Sequence, residues 1–257
     1  MTLISRLLGF IRDILIAATF GAGSIADAFF IALKFPNIFR RIMAEGTLNM
    51  SFIPIFSKKL PYKDEANIFF REIFNFLFWS LLLIVSIFEI LMPAVVYLIA
   101  PGFLQDPKKI DLVIDLARIS FPYLFFISLI TLLCGVLNSL GKYLLAASMP
   151  TFVNISMIIA LLHVQTMEIQ NTRAAALLLM VSFLLSGILQ LAVCIHGCKK
   201  HGFFPKIKLP KISDNIKKFM ILSFPAIGAG GIIQINILIG SIIASYEDKA
   251  VSYLYYA

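Results

Sequence analysis

The stretch KFPNIFRRIMAEG (residues 34–46) decides how this chain is read. Three cations, a carboxylate and a proline sit close together in a sequence that is otherwise lipid-soluble. The chain has 257 residues, 60% of them hydrophobic and 14% charged. Soluble domains carry about 45–50% apolar and about 25% charged residues, so both departures point to an integral membrane protein. A helix needs about 20 apolar residues to cross a bilayer, and this chain holds several such runs. Backbone groups in lipid must pair internally, which leaves helices or closed barrels. Runs this long, without alternation, predict helices.

Outward from the opening stretch, apolar runs are expected at about 3–20, 27–55, 73–100, 112–140, 144–163, 174–195 and 219–245. The segment AVSYLYYA (250–257) looks like the start of another. The fold expected is an all-α polytopic membrane protein with about seven transmembrane helices and the beginning of an eighth. Net charge is +8, from 22 Lys and Arg against 14 Asp and Glu. In a soluble protein that excess would suggest nucleic acid; here the charge lies between apolar runs. Lys58, Lys59 and Lys63 fall between spans two and three, and seven lysines from Lys199 to Lys218 fall between spans six and seven. The alternate loops are acidic or balanced: Asp106 to Asp111, Glu168 to Arg173, Glu247 to Lys249. The positive-inside rule then puts the N-terminus in the cytoplasm. Arg6, Arg12 and Asp13 interrupt any signal-peptide core, so cleavage is not expected. The three cysteines, without a CxxC, imply no disulfide framework.

Charge at bilayer depth costs roughly 2.5–3.5 kcal/mol on insertion scales and marks a functional site by default. Span one carries Arg12 near its middle. It either pairs internally with Asp13 or faces a water-filled cavity. In span two, Asp27, Lys34 and Arg41 are spaced by seven, and Glu45 follows Arg41 by four. At 3.6 residues per turn these four fall within a sector of about 40°, a polar stripe suited to lining an aqueous cavity. Arg40 lies off that stripe by about 100° on a straight helix. Pro36 cannot donate to the carbonyl of Ala32 and clashes with it, so a kink or break is expected there and again near Gly46. Asn37 is placed to satisfy freed groups. A bend would turn Arg40 toward the same cavity; the alternative leaves both arginines at the interface as anchors. Arginine is a planar, permanently charged, bidentate donor, so a cavity collecting several predicts an anionic, phosphorylated substrate. Kinked spans, repeated in FPAIGAGG (224–231), suit an alternating-access transporter.

SRLLGFIRD (5–13), FGAGSIADAFFIALKFPNIFRRIMAEG (20–46), FIPIF (52–56), APGF (100–103), FPY (121–123), LNS (137–139), NISMI (154–158) and YLYYA (253–257) resemble the MurJ (MviN) lipid II flippases. That family belongs to the multidrug/oligosaccharidyl-lipid/polysaccharide (MOP) exporter superfamily. The resemblance implies fourteen helices in two lobes around a cationic cavity. It implies lipid II, the undecaprenyl-pyrophosphate-linked peptidoglycan precursor, as substrate in the bacterial cytoplasmic (inner) membrane. Membrane lipids and the cell-wall synthesis machinery would be its surroundings, with no nucleic acid, cofactor, metal or catalytic residue. The family's cavity arginines match Arg6, Arg12 and Arg40, and its acidic residue at the head of helix two matches Asp27. Lys34, Asn37, Arg41 and Glu45 match its pattern. The straight helix favours Arg41 where the resemblance favours Arg40, and the turn at Pro36 decides between them. The family continues after YYA with Asp-Arg, so the chain is expected to be an N-terminal half. Residues 1–218 would form a six-helix lobe with a basic loop at 197–218, and residues 219–257 would open the second lobe. Many relatives carry Asp or Asn where this chain has Gly240.

Other readings are a flippase for another polyprenyl-linked saccharide, or an inactive truncated fragment. A membrane enzyme would need clustered carboxylates or a metal, and the carboxylates are scattered. Cys194, His196, Cys198 and His201 cluster at the end of span six, but their spacing fits no common zinc pattern.

Overall fold

The computed structural model describes residues 2–41 and 49–257. All of its regular secondary structure among those residues is helical, in the order α1 (Thr2–Phe20), α2 (Ser24–Arg40), α3 (Asn49–Lys59), α4 (Lys63–Ile99), a 3-10 turn (Pro101–Gln105), α5 (Pro107–Ser120), α6 (Tyr123–Ser139), α7 (Tyr143–Thr166), α8 (Arg173–Lys200), α9 (Asp214–Ala244) and α10 (Ala250–Tyr256). Among the described residues, four stretches are long and apolar enough to cross a membrane: Lys63–Ile99, Pro107–Ser139, Tyr143–Thr166 and Arg173–Lys200. The helices α1 and α2, which carry the charges at issue, are not among them.

The chain runs back and forth, so its connections gather at two ends. At the far end, away from the N-terminus, Asn171 N–H donates to the Thr19 carbonyl and the Tyr256 hydroxyl to the Gly21 carbonyl. At the N-terminal end the basic loop folds back on α4. Trp79 donates to the Lys208 carbonyl, Asn75 accepts from the Lys208 N–H, and Glu72 accepts from Ser213 and Asn215. These contacts fall on the third to fifth turns of α4, which begins ten residues before its apolar run with Asp64 and Glu65 in the first turn, where the helix dipole favours acid. Two apolar cores stack end to end. One collects Phe29, Phe30, Phe121 and Leu161 toward the far end; the other collects Phe52, Phe56, Phe70 and Phe203 toward the N-terminal end.

Prolines shape the spans unevenly. The run expected at 112–140 divides in two at Phe121 and Pro122, where α5 ends and α6 begins. By contrast, α2 does not break at Pro36: it continues to Arg40. The reason is visible in the hydrogen bonds. Asn37 Nδ2 donates to the Leu33 carbonyl at 2.9 Å, as a local repair. The Ala32 carbonyl, which loses its donor to Pro36, receives the Ser120 hydroxyl from α5 at 3.0 Å. Both residues are fully buried. A Ser120→Ala substitution is therefore expected to cost roughly 1–3 kcal/mol, the penalty of one orphaned buried carbonyl. Adding Pro36→Ala, which restores the main-chain donor, should recover most of that loss. Thermal unfolding of the purified protein reads both effects, and an undiminished penalty in the double variant would refute the pairing. The second break, expected near Gly46, lies outside the described residues.

Candidate functional site

Between the two cores lies a cavity of about 850 Å³. Every long element that meets it contributes a polar side chain from the middle of an apolar run. From α1 comes Arg12, and from α2 come Lys34, Asn37, Arg40 and Arg41. Tyr123, Asn154 and Gln190 reach it from α6, α7 and α8, and Gln234 and Asn236 from α9.

Arg12 is held from two directions. Its Nη2 and Nε donate to Asp13 Oδ1 at 2.7 and 3.0 Å, and its Nη1 donates to Asn154 Oδ1 at 2.9 Å. Asn154 is itself fixed through Nδ2 to the Ser5 carbonyl. Both readings of Arg12 thus apply: it is paired with Asp13, and it lines the cavity. The Lys34 ammonium donates to Ser241 Oγ of α9 at 2.9 Å, joining the second helix to the seventh long one. Gly240, beside that serine, also lines the cavity. The choice between Arg40 and Arg41 has a geometric answer: both line the cavity. Arg40 is half-buried, with Nε 3.4 Å from Asn37 Oδ1, while Arg41 is exposed. Continuation of α2 through Pro36 keeps the stripe facing inward as far as Arg41, and the wide cavity mouth admits the neighbouring arginine as well.

Two expected site residues, Arg6 and Asp27, are described and are not on this wall. Arg6 is exposed and lies six positions before Arg12. That separation turns it about 120° around α1 and about 9 Å along it. Asp27 is completely buried at the far end. Its Oδ2 accepts from Lys109 Nζ at 2.8 Å, and its Oδ1 accepts from the Ser252 N–H at 2.9 Å and from the Ser252 hydroxyl. Asp27 therefore caps α10 from a distant helix, as a carboxylate does at a helix N-terminus. Glu45 lies outside the described residues.

The far end is closed around Asp27. Lys109, only 7% exposed, also sits 3.9 Å above the Phe103 ring. The Gly102 N–H donates to Ser245 Oγ at 3.0 Å, and a Cβ at Gly102 would collide with the Ser245 main chain. Phe30 stacks on Tyr255 with centroids 3.9 Å apart and meets Tyr256 edge-on. Arginines and lysine thus occupy the middle and N-terminal end of the cavity, and aromatic rings fill the other end.

Sequence reasoning does not assign Tyr123, Asn154, Gln190 or Gln234 to the cavity, although Tyr123 and Asn154 fall in motifs that carry the resemblance. Their signal is that of lone neutral polar groups inside apolar runs, which must pair or face water. Gln190 Nε2 and Gln234 Oε1 are buried with no hydrogen-bond partner among the described residues, and both residues line the cavity. They are spare amide groups for a polar occupant. The Cys194–His201 cluster does not gather into a metal site: among the described residues no group of three or more His, Cys, Asp or Glu could hold an ion. Cys194 and Cys198 are buried, whereas His196 is exposed.

One protein family, Lipid II flippase MurJ, matches residues 16–257. A probable lipid II flippase MurJ from Rhizobium tropici is 42% identical over the whole chain. The alignment covers 48% of that protein, so the chain spans about half the length of the curated relatives it matches. Among solved structures, a lipid II flippase MurJ in an inward closed conformation superposes with a TM-score of 0.82 at 25% identity, covering 99% of this chain and 52% of the other. An inward-facing MATE-family multidrug transporter of the MOP superfamily shares the fold, with a TM-score of 0.70 at 15% identity, over 100% of this chain and 56% of the other.

Proposed function

The chain belongs to the lipid II flippase MurJ family, and from that membership we propose that it carries the substrate-holding part of a lipid II flippase. The observation that supports this most directly is the cation-lined cavity, where Arg12, Lys34, Arg40 and Arg41 converge in the middle of a membrane protein. A pyrophosphate carries its charge on several oxygens. Guanidinium forks bind such groups in pairs of hydrogen bonds, and a low-dielectric wall strengthens each one. The spare amides of Gln190 and Gln234 suit the sugar and peptide beyond the phosphates.

In this reading residues 1–218 form the first lobe and residues 219–257 open the second. The lysine-rich end faces the cytoplasm of a bacterial inner membrane, so lipid II reaches the cavity from the leaflet where Arg40 and Arg41 lie. The far-end closure is the barrier that must part for release on the other side. Its Asp27–Lys109–Ser252 junction ties α2 and α5 to α10, the first and second lobes of this scheme, so rocking of one lobe against the other would act directly on it. Enzymes of cell-wall synthesis would consume the delivered precursor. No side chain needs to break a bond of the substrate, in keeping with a transporter.

The test is binding and translocation by the protein in proteoliposomes carrying lipid II. Replacing Lys34 and Arg40 together with Gln removes two charge-assisted contacts of about 1.5–3 kcal/mol each and should weaken lipid II binding at least about tenfold. Undiminished binding would overturn the cavity assignment. Equal transport of a polyprenyl-pyrophosphate bearing an unrelated sugar would overturn lipid II as the specific substrate.

A further inference from the structure

A second cavity, of about 530 Å³, opens at the N-terminal end of the bundle, where the turn between α6 and α7 meets the last turns of α8. Its polar lining is Lys142, Tyr143, Ser148, His196, Lys200 and His201, and it includes no carboxylate. Its floor is apolar, from Leu137, Leu145 and Val193. It has no lining residue in common with the larger cavity among those described.

Several features converge on one kind of occupant. The cavity wall includes the first turn of α7, a 24-residue helix whose N-cap is Lys142 and which has no side-chain cap. The leading N–H groups of such a turn lack intrahelical partners, and the aligned peptide dipoles make this end positive. Lys142 stands at that turn, and Lys200 approaches from the last turn of α8. No ion pair neutralises either lysine among the described residues. Gly197 brings α8 close: a Cβ there would lie 2.5 Å from Leu145 Cδ2, so the two helices meet tightly beneath the pocket. At the rim, Tyr143 and Leu144 are each 66% exposed, an aromatic and an aliphatic side chain of the kind that meets lipid at a membrane interface.

We propose that this cavity is a headgroup site for an anionic glycerophospholipid of the surrounding leaflet. The phosphate sits at the α7 N-terminus between Lys142 and Lys200, the imidazoles of His196 and His201 hydrogen-bond its oxygens or the glycerol, and an acyl chain descends past Leu144. Basic pockets between spans take anionic lipid headgroups in this way. A free phosphate would use the same cations but would gain nothing from the apolar floor or the exposed leucine at the rim. The site is separate from the proposed flipping path, so its occupancy can be tested whether or not the protein moves lipid II.

The experiment is native mass spectrometry of the purified protein with phosphatidylglycerol, phosphatidylcholine of the same chains, and inorganic phosphate. Phosphatidylglycerol should be retained in preference to phosphatidylcholine. Lys142→Gln with Lys200→Gln should lower its affinity about tenfold or more. The Arg pair at the same positions should retain it, which controls for folding. Lys58→Gln with Lys59→Gln, removing equal charge elsewhere on the same end, should leave it unchanged. Equal affinity in the Lys142 and Lys200 variant, or an equal loss from the Lys58 and Lys59 variant, overturns the site. Inorganic phosphate that displaces the lipid at comparable concentration overturns the lipid assignment.

Discussion

A full-length protein with Arg12→Glu fails to support growth of a strain depleted of its own lipid II flippase, whereas Arg12→Lys supports it in part. The expectation starts from donors. A guanidinium has five N–H groups in a fixed fork. Its bonds to Asp13 and Asn154 engage three of them and hold the plane against α7. The remaining edge faces a cavity whose other cations are Lys34, Arg40 and Arg41. Each hydrogen bond to an ionised partner contributes about 1.5–3 kcal/mol, so loss of the Arg12 contacts alone weakens a bound phosphate about ten- to a hundredfold. Glutamate goes further: it places a second carboxylate beside Asp13, and the pair would repel the anion proposed to bind there. Lysine keeps the charge as a point donor but loses the fork, so it cannot hold Asn154 and a phosphate in one plane. Comparable protein levels of the two variants in membranes would exclude misfolding as the cause. Normal growth with Arg12→Glu would remove Arg12 from the substrate site.

Arg12 also marks how far the sequence alone reaches. Its charge at mid-span is legible from one dimension, because any ionised group there needs an explanation. Its partner is not: Asn154 lies 142 residues away, and only the packing of α1 on α7 brings them together. The same limit applies at Pro36. The missing donor can be read from the sequence, but the repair comes from Ser120 on another helix, so of the kink or break expected there the break does not occur. Helical periodicity places Lys34 and Arg41 on one face, and the cavity lies against that face. It also places Asp27 there, because a helical wheel carries no information about depth. Asp27 shares the stripe but sits at the other end of α2, beyond the aromatic closure. Its counter-ion, Lys109, stands in a segment that reads from sequence as a balanced surface loop.

That buried pair carries the second large effect. Asp27→Asn preserves shape and leaves an amide oxygen able to cap α10, but it strands the Lys109 ammonium, 7% exposed, against the Phe103 ring. Breaking a buried ion pair on one side costs about 3–5 kcal/mol, because the surviving charge has no water to return to. Lys109→Met leaves Asp27 with only its bonds from Ser252, and should destabilise by a similar route. Removing both charges together is a different matter: an Asn–Met pair needs no counter-ion, and replacing a buried ion pair by uncharged groups is often nearly neutral. The double variant should therefore be more stable than either single one, with a coupling energy at the upper end of the roughly 0.5–3 kcal/mol seen for contacting residues. Thermal unfolding in detergent measures the cycle. A second readout separates stability from gating: a cysteine at Leu33, which lines the cavity behind the closure, reacts with a membrane-impermeant maleimide added from the far side. Asp27→Asn should speed that reaction, since the junction holding α10 against α2 is weakened, and Lys109→Met added to it should slow it again. Strictly additive single effects, together with unchanged labelling, would mean that the pair neither couples nor closes the far end, and that the aromatic stack of Phe30 and Tyr255 alone forms the barrier.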